Sequence, residues 1–346
     1  MALNLTQKMV TFLQKNAGQK FKARDIARWV FETYPEDCRA KQKRSTAKVT
    51  PLDSDAALIQ QLVAEIGSQW PQIQKRFPAI KATAGRPRFY YYTACSDAEE
   101  VEQAENPSPS VSSAQSADSL PEAKTHSEHD LYPILSDYVR IELGVHSTRI
   151  DEKTSSNTRG PNGNKWLHPD VVGIEDLTAE WQPEVKNLVR LHTTPKSRLW
   201  SFEVKILLNS SNVREAFFQA VSNSSWANFG YLVACDINTD AMEELRILSP
   251  LHGIGVIQLV PKDLADSQIM LPARERTDVD WATCNRLTEE NSDFGQFMTL
   301  VRQFYQTGDL RPQDWDASVS LLETPQSKPK PKAQKTRTRK SALQPT

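Results

Sequence analysis

His168-Pro169-Asp170-Val171-Val172-Gly173-Ile174-Glu175, followed further along by Phe202-Glu203-Val204-Lys205-Ile206-Leu207-Leu208, is the stretch whose reading decides the fold. Each half is a short run of apolar and β-branched residues interrupted by charged or polar ones, the pattern of a half-buried strand. Glu203 and Lys205 lie two apart, so a strand puts both on one face. An aspartate at one strand end and a Glu-x-Lys on the next strand can gather two carboxylates and one ammonium. A hard divalent cation takes oxygen ligands, often one or two carboxylates with waters and substrate phosphates. Asp170 and Glu203 are therefore read as the metal ligands for Mg²⁺ or Mn²⁺, and Lys205 as the group that orients water or offsets charge on a phosphodiester. The blander reading is a solvated Glu-x-Lys face beside a Pro-Asp turn.

This pairing of Pro169-Asp170 with Glu203-Val204-Lys205 resembles the PD-(D/E)xK restriction-endonuclease-like superfamily. The resemblance implies a metal-dependent phosphodiesterase on a small α/β core with a mixed sheet. The interval from Asp170 to Glu203 is long for that family and calls for an inserted element, which the segment Leu177 to Leu191 supplies as an expected helix.

Working outward, Leu131, Ile134, Leu135, Tyr138, Val139 and Leu143 trace one side of a helix closing at Gly144, with Pro133 expected in its first turn. Glu128 stands near its start, where it either serves the helix terminus or joins the metal site. Val145 to Ile150 reads as a strand, Asn212 to Val221 as a helix, Gly230 to Cys235 and Gly253 to Val260 as buried strands, with a helix from Ala241 to Leu248. Helix, strand, strand, strand, helix, strand is the order such a nuclease core requires. Gln219, on the helix after the Glu203 strand, resembles the glutamine that superfamily members place near the site; the alternative is a solvated helix residue. His168 is ambiguous: beside a metal it could hydrogen-bond a phosphate or serve as a base, but a strand-entry histidine is more often structural, and it is left out of the catalytic set. Phe294, Phe297, Met298, Val301, Phe304 and Tyr305 make one amphipathic helix that either caps the sheet or forms a dimer face.

The first 93 residues carry sixteen Lys and Arg against seven Asp and Glu, a surplus of nine, although the whole chain has a formal net charge of -1. Helical spacing at Leu5 to Leu13, Ala23 to Phe31 and from Asp55 to about Gly67–Pro71 gives three helices, with Arg39 to Lys48 a polar basic insert. Ile80 to Thr83 and Arg88 to Thr93 flank a basic tip, Ala84-Gly85-Arg86-Pro87, as a hairpin. Three helices and a terminal hairpin form a winged helix-turn-helix pattern. Lys75, Arg76, Lys81, Arg86 and Arg88 are the expected contacts to phosphates of double-stranded DNA. Gly18-Gln19-Lys20-Phe21, Ala23-Arg24-Asp25-Ile26-Ala27 and Gly85-Arg86-Pro87-Arg88-Phe89-Tyr90 also resemble the HARE-type helix-turn-helix family, whose contexts imply association with a restriction-modification or defence system.

The expected organisation is a winged helix over 1–93, a flexible acidic linker over 94–127 allowing independent motion, a nuclease-like domain over 128–310 and a disordered basic tail over 325–346. Cys38, Cys95, Cys235 and Cys284 lie far apart without zinc spacing, so free thiols in a reducing compartment are expected. No apolar h-region and no run of eighteen apolar residues occurs, which points to the cytoplasm. The sequence thus favours a DNA endonuclease, with cutting of both strands calling for a homodimer. The rival is a non-catalytic DNA-binding regulator whose nuclease fold serves dimerisation or partner recognition.

Overall fold

The structure, a computed structural model, describes residues 3–45, 51–106, 126–156, 166, 168–189 and 196–316. The basic tail, much of the expected linker and the polar loop carrying Arg159 and Lys165 lie outside them. Two cores form. In the first, α1 (Leu5–Lys15), β1 (Phe21–Lys22), α2 (Ala23–Thr33), α3 (Pro35–Arg44) and α4 (Asp55–Arg76) precede a hairpin of β2 (Ile80–Ala82) and β3 (Phe89–Tyr92). The strands order β1-β3-β2, all antiparallel. Met9, Leu13, Ile26, Leu58, Leu62 and Ile66 are fully buried between the helices.

Two local expectations change here. Arg39–Lys48 is not wholly a polar insert: α3 covers residues through Arg44, and it escapes pattern recognition because Cys38 alone is buried. The third sequence-expected helix, α4, runs past Gly67 and Pro71 to Arg76. Its buried stripe of Leu58, Leu62, Ile66, Trp70 and Ile73 keeps helical spacing throughout, while the Pro71 ring faces solvent.

The second core is an open, mixed six-stranded sheet. In chain order come α5 (Asp97–Glu105), α6 (Glu128–Leu143), β4 (Val145–Arg149), β5 (Val171–Asp176), α7 (Pro183–Val189), β6 (Ser197–Leu208), α8 (Val213–Asn223), β7 (Phe229–Ile237), α9 (Thr239–His252), β8 (Gly255–Gln258), β9 (Gln268–Leu271), α10 (Trp281–Glu290) and α11 (Ser292–Thr307). The strands lie side by side in sequence order from β4 to β9. β4, β5 and β6 pair antiparallel, β6, β7 and β8 parallel, and β9 returns antiparallel. Both parallel joins need crossover helices, which α8 and α9 provide. The fold class read from the sequence, α/β with a mixed sheet, is the one that forms.

Strand alternation sorts the core into two faces. Val171, Trp200, Phe202, Val204 and Val233 meet Leu131, Leu135 and Val139 of α6. On the other face Leu208, Leu232 and Ala234 meet α8 and α9, while Val172, Ile174 and Leu199 meet α11 and Trp226. Phe294, Phe297, Val301 and Phe304 of α11 are therefore core residues covering the sheet, and the dimer-face alternative falls. Pro133 lies beyond the first turn of α6, contrary to expectation, and the left-handed Gly144 (φ 66°) closes that helix as expected.

The stretch expected to be a flexible linker opens with a folded, docked helix. Ser96 and Glu99 form a capping box that starts α5. Asp97 and Glu100 pair with Lys81 of β2, and Asn209 Nδ2 at the end of β6 donates to the Asp97 carbonyl at 2.7 Å. The hairpin tip docks too. Ala84 N donates to Ile237 O at 2.7 Å, Thr83 bridges Asn238, and the Tyr91 hydroxyl donates to Asn238 Oδ1 at 3.2 Å. Lys20 and Asp236 add an ion pair at 2.8 Å. The two cores thus touch directly, where the sequence reads as two freely moving units.

Asn238 and Tyr91 are both buried, so Asn238→Ala leaves the Tyr91 hydroxyl without this acceptor. Denaturant unfolding should show a loss of about 1–3 kcal/mol, the cost of an unmet buried polar group.

Candidate active site

β5 begins at Val171, opposite Phe202, and β6 continues beyond that pair, past the end of β5. One step past the last pair, register places Asp170 beside Glu203. Asp170 is tied there at both ends: its N–H donates to Phe202 O at 3.1 Å, and its Oδ2 accepts from Val204 N at 2.7 Å. Glu203 is 4% exposed. Its Oε1 accepts from Lys205 Nζ at 3.0 Å and its Oε2 from Asn223 Nδ2 at 2.9 Å. The three sequence-chosen residues therefore converge on one notch at the sheet end.

Two further helices complete the notch. Asn223 closes α8, and its backbone carbonyl accepts from Ser201 Oγ on β6 and from Trp226 Nε1. That anchoring aims its amide at Glu203. From the other face, α6 starts with a capping box made by Ser127 and Asp130, so the N-terminal capping role weighed for Glu128 is filled by others. Glu128 instead lies with Oε1 3.8 Å from Lys205 Nζ.

The charges are strongly coupled. Burial, then the neighbouring Asp170 charge, pushes Glu203 up to about 8. Burial by itself would lower Lys205, but Glu203, Asp170 and Glu128 outweigh it and hold the ammonium above its usual range. Lys205 stays cationic, while Glu203 is pushed toward its neutral form beside Asp170. Among the described residues no group of three or more His, Cys, Asp or Glu side chains forms a ready-made cage. Two carboxylates are nevertheless a common protein contribution to Mg²⁺, and a divalent cation would relieve the repulsion that raises Glu203. The donor set fits such an ion.

A pH dependence follows from the raised Glu203. The folded state disfavours its ionised form, so its contribution to stability is full below the ordinary value of 4.5 and is lost as pH rises toward about 8. A divalent cation held by Asp170 and Glu203 would bind the ionised form and reverse that loss. The melting temperature should therefore rise more on adding Mn²⁺ near pH 8 than near pH 6, and Glu203→Gln should abolish the difference.

Gln219 sits one turn before Asn223 on the same face of α8 and is 1% exposed, so it is not a solvated helix residue. Neither of its amide atoms has a partner among the described residues, and the same holds for both ring nitrogens of the buried His168. Unmet buried polar atoms cost about 1–3 kcal/mol and are kept where a ligand or mechanism uses them. Sequence reasoning had no signal for Asn223, because only the α8–β6 packing aims it.

The residues expected to touch DNA divide. Lys75, Arg76 and Arg86 are exposed and Arg88 is half-buried. Lys81 is committed to Asp97 and Glu100, which removes it as a free phosphate contact in this arrangement. All four cysteines are free thiols. Among the described residues no helix is long and apolar enough to cross a membrane.

No family model and no curated protein matches the chain. Among solved structures, the SPO1766 protein of unknown function from Silicibacter pomeroyi is similar at 16% identity, over 51% of this chain and 91% of that one, with a TM-score of 0.26. A likeness that slight carries no argument about fold or function.

Proposed function

We propose that this protein is a metal-dependent DNA endonuclease of restriction or defence type, in which a HARE-like winged helix-turn-helix holds duplex DNA and a PD-(D/E)xK, restriction-endonuclease-like domain hydrolyses it. The observation that carries the reading is the convergence of Asp170, Glu203 and Lys205 in one buried, charge-coupled notch. Support also comes from the order α6, β4, β5, β6, α8, β7, and from the helices and β2–β3 hairpin ahead of it.

Asp170 and Glu203 would hold Mg²⁺ or Mn²⁺. Such an ion supplies Lewis acidity and a more acidic bound water. Lys205, kept charged by its three carboxylate neighbours, stabilises negative charge developing on the phosphate. Asn223 fixes the orientation of Glu203, and Glu128 helps keep the Lys205 ammonium in place. Gln219 offers an unused amide beside them. Exposed Lys75, Arg76 and Arg86 suit the duplex backbone, a sequence-independent attraction that weakens with salt.

The test is incubation of unmodified and modified plasmids with Mg²⁺, comparing intact protein with Lys205→Ala. Metal-dependent cutting by the intact protein alone supports the proposal. Salt-sensitive DNA binding with no cutting of either plasmid under Mg²⁺ or Mn²⁺ would replace it with the regulator.

A further inference from the structure

The catalytic notch has a second cation that its chemistry has not used. Arg149 ends β4, opposite Val171, so it stands at the same end of the sheet as Asp170. Ile150 N, the next residue, donates to Asp170 O at 2.9 Å. The Arg149 guanidinium lies 5.1 Å above the ring of Tyr132 on α6. Tyr132 is itself buried, and its hydroxyl is pushed up by burial and then by the charges of Asp170 and Glu128, with Lys205 and Arg149 opposing. That ring therefore lies within electrostatic reach of Asp170, Glu128 and Lys205 and carries the Arg149 guanidinium.

Arg149 is restrained without being saturated. Its side chain is 34% exposed, Nη2 reaches Asp151 only at a loose 3.4 Å, and the buried Nε has no partner among the described residues. The backbone holds it as well, since Arg149 N donates to Asp316 Oδ2 at 2.7 Å. A planar fork stacked on an aromatic ring, with donors left over, suits bidentate binding of a phosphate. β4 and β6 lie two strand spacings apart, about 10 Å. Arg149, paired with Val171, faces α6, whereas Glu203 and Lys205 alternate onto the α8 side, so the two cations stand on opposite faces of the sheet around the end of β5. A nucleic-acid strand crossing the notch would meet one cation at the reacting phosphate and the other at a neighbouring one.

We propose, building on the nuclease reading, that Arg149 is a substrate-binding residue that grips a backbone phosphate adjacent to the scissile one, with Tyr132 as the platform that positions its guanidinium. The acid-lined notch by itself repels DNA. Arg149 joins Lys205 in offsetting that repulsion.

Binding, read without cleavage, tests this separately from the nuclease reading. Anisotropy of a fluorescein-labelled duplex, with Ca²⁺ in place of Mg²⁺, gives the Kd and its salt slope for the intact protein, Arg149→Gln, Arg149→Lys and Tyr132→Leu. Arg149→Gln should weaken binding about tenfold and reduce the salt slope by about one, the signature of one lost phosphate contact. Arg149→Lys keeps the charge and loses the fork, so its slope should match the intact protein while its Kd rises several-fold. Tyr132→Leu removes the aromatic platform and leaves the charge, so its Kd should rise several-fold with the salt slope of the intact protein. Wild-type Kd and slope in Arg149→Gln would overturn the assignment even if the protein cuts DNA. Should Arg149→Gln not fold, wild-type Kd in Arg149→Lys overturns it instead. A protein that shows the lost contact yet never cuts would keep Arg149 as a backbone-phosphate contact and lose the nuclease reading, and with it the scissile neighbour.

Discussion

Glu203→Gln should abolish metal-dependent cleavage, with a loss of about 10²–10³ or more in rate, while the folded protein survives. Glutamine has nearly the shape of glutamate, and its one oxygen can accept from Lys205 or from Asn223, each of which has its own carboxylate oxygen in Glu203. What it cannot do is supply the charge that, with Asp170, would hold a divalent cation in the proposed mechanism. The buried, partly repelled carboxylate is a group the fold tolerates poorly: burial and Asp170 both push it toward its neutral form. Near pH 8 and without metal, Glu203→Gln should therefore melt no lower than the intact protein. Single-turnover cleavage and thermal melts on the same sample check both halves. Undiminished cutting would remove Glu203 from the mechanism, and a collapse in melting temperature would make it a structural residue.

Phe297→Asp should prevent folding of the second core. Phe297 is fully buried against Trp226, Phe294 and Trp315, with ring centroids 6.0, 5.7 and 6.2 Å away. Replacing it creates a cavity and introduces a charge with no partner in an apolar cluster. Truncating a buried phenylalanine costs about 3–5 kcal/mol, and the unpaired carboxylate adds to that. A total of this size rivals the whole stability of an ordinary domain, about 5–15 kcal/mol. Expression followed by circular dichroism decides. A well-folded monomer in place of a wild-type dimer would restore the dimer-face reading of α11.

The strands that build the notch were legible because their composition leaves little choice: apolar runs around Asp170 and Glu203 admit charges only where the sheet end is open. Spacing likewise exposed α1, α2, α6, α8 and α11. Elements with little to bury were less visible. α3 buries only Cys38 among apolar residues, and α5 buries none, so neither leaves a hydrophobic period. The helix expected over Leu177 to Leu191 is confined among the described residues to Pro183–Val189, since Pro183 suits a first helical position and the preceding residues form turns. Docking between the two cores was hidden for a different reason. It rests on single polar contacts, such as Tyr91 with Asn238 and Lys81 with Asp97, that no local pattern announces. Asn223 and Arg149 belong to the same class: their roles depend on which residues stand opposite them once the sheet has formed.

The central claim is that Asp170 and Glu203 together form a site for one divalent cation, and metal binding tests it without any choice of DNA. Isothermal titration with Mn²⁺, a stand-in for Mg²⁺ that also takes oxygen ligands, should show one site per chain in the intact protein. Asp170→Asn and Glu203→Gln should each remove it, while both variants keep the wild-type circular dichroism. Binding that persists undiminished in both variants, or no binding by the intact folded protein near pH 8, would contradict the account.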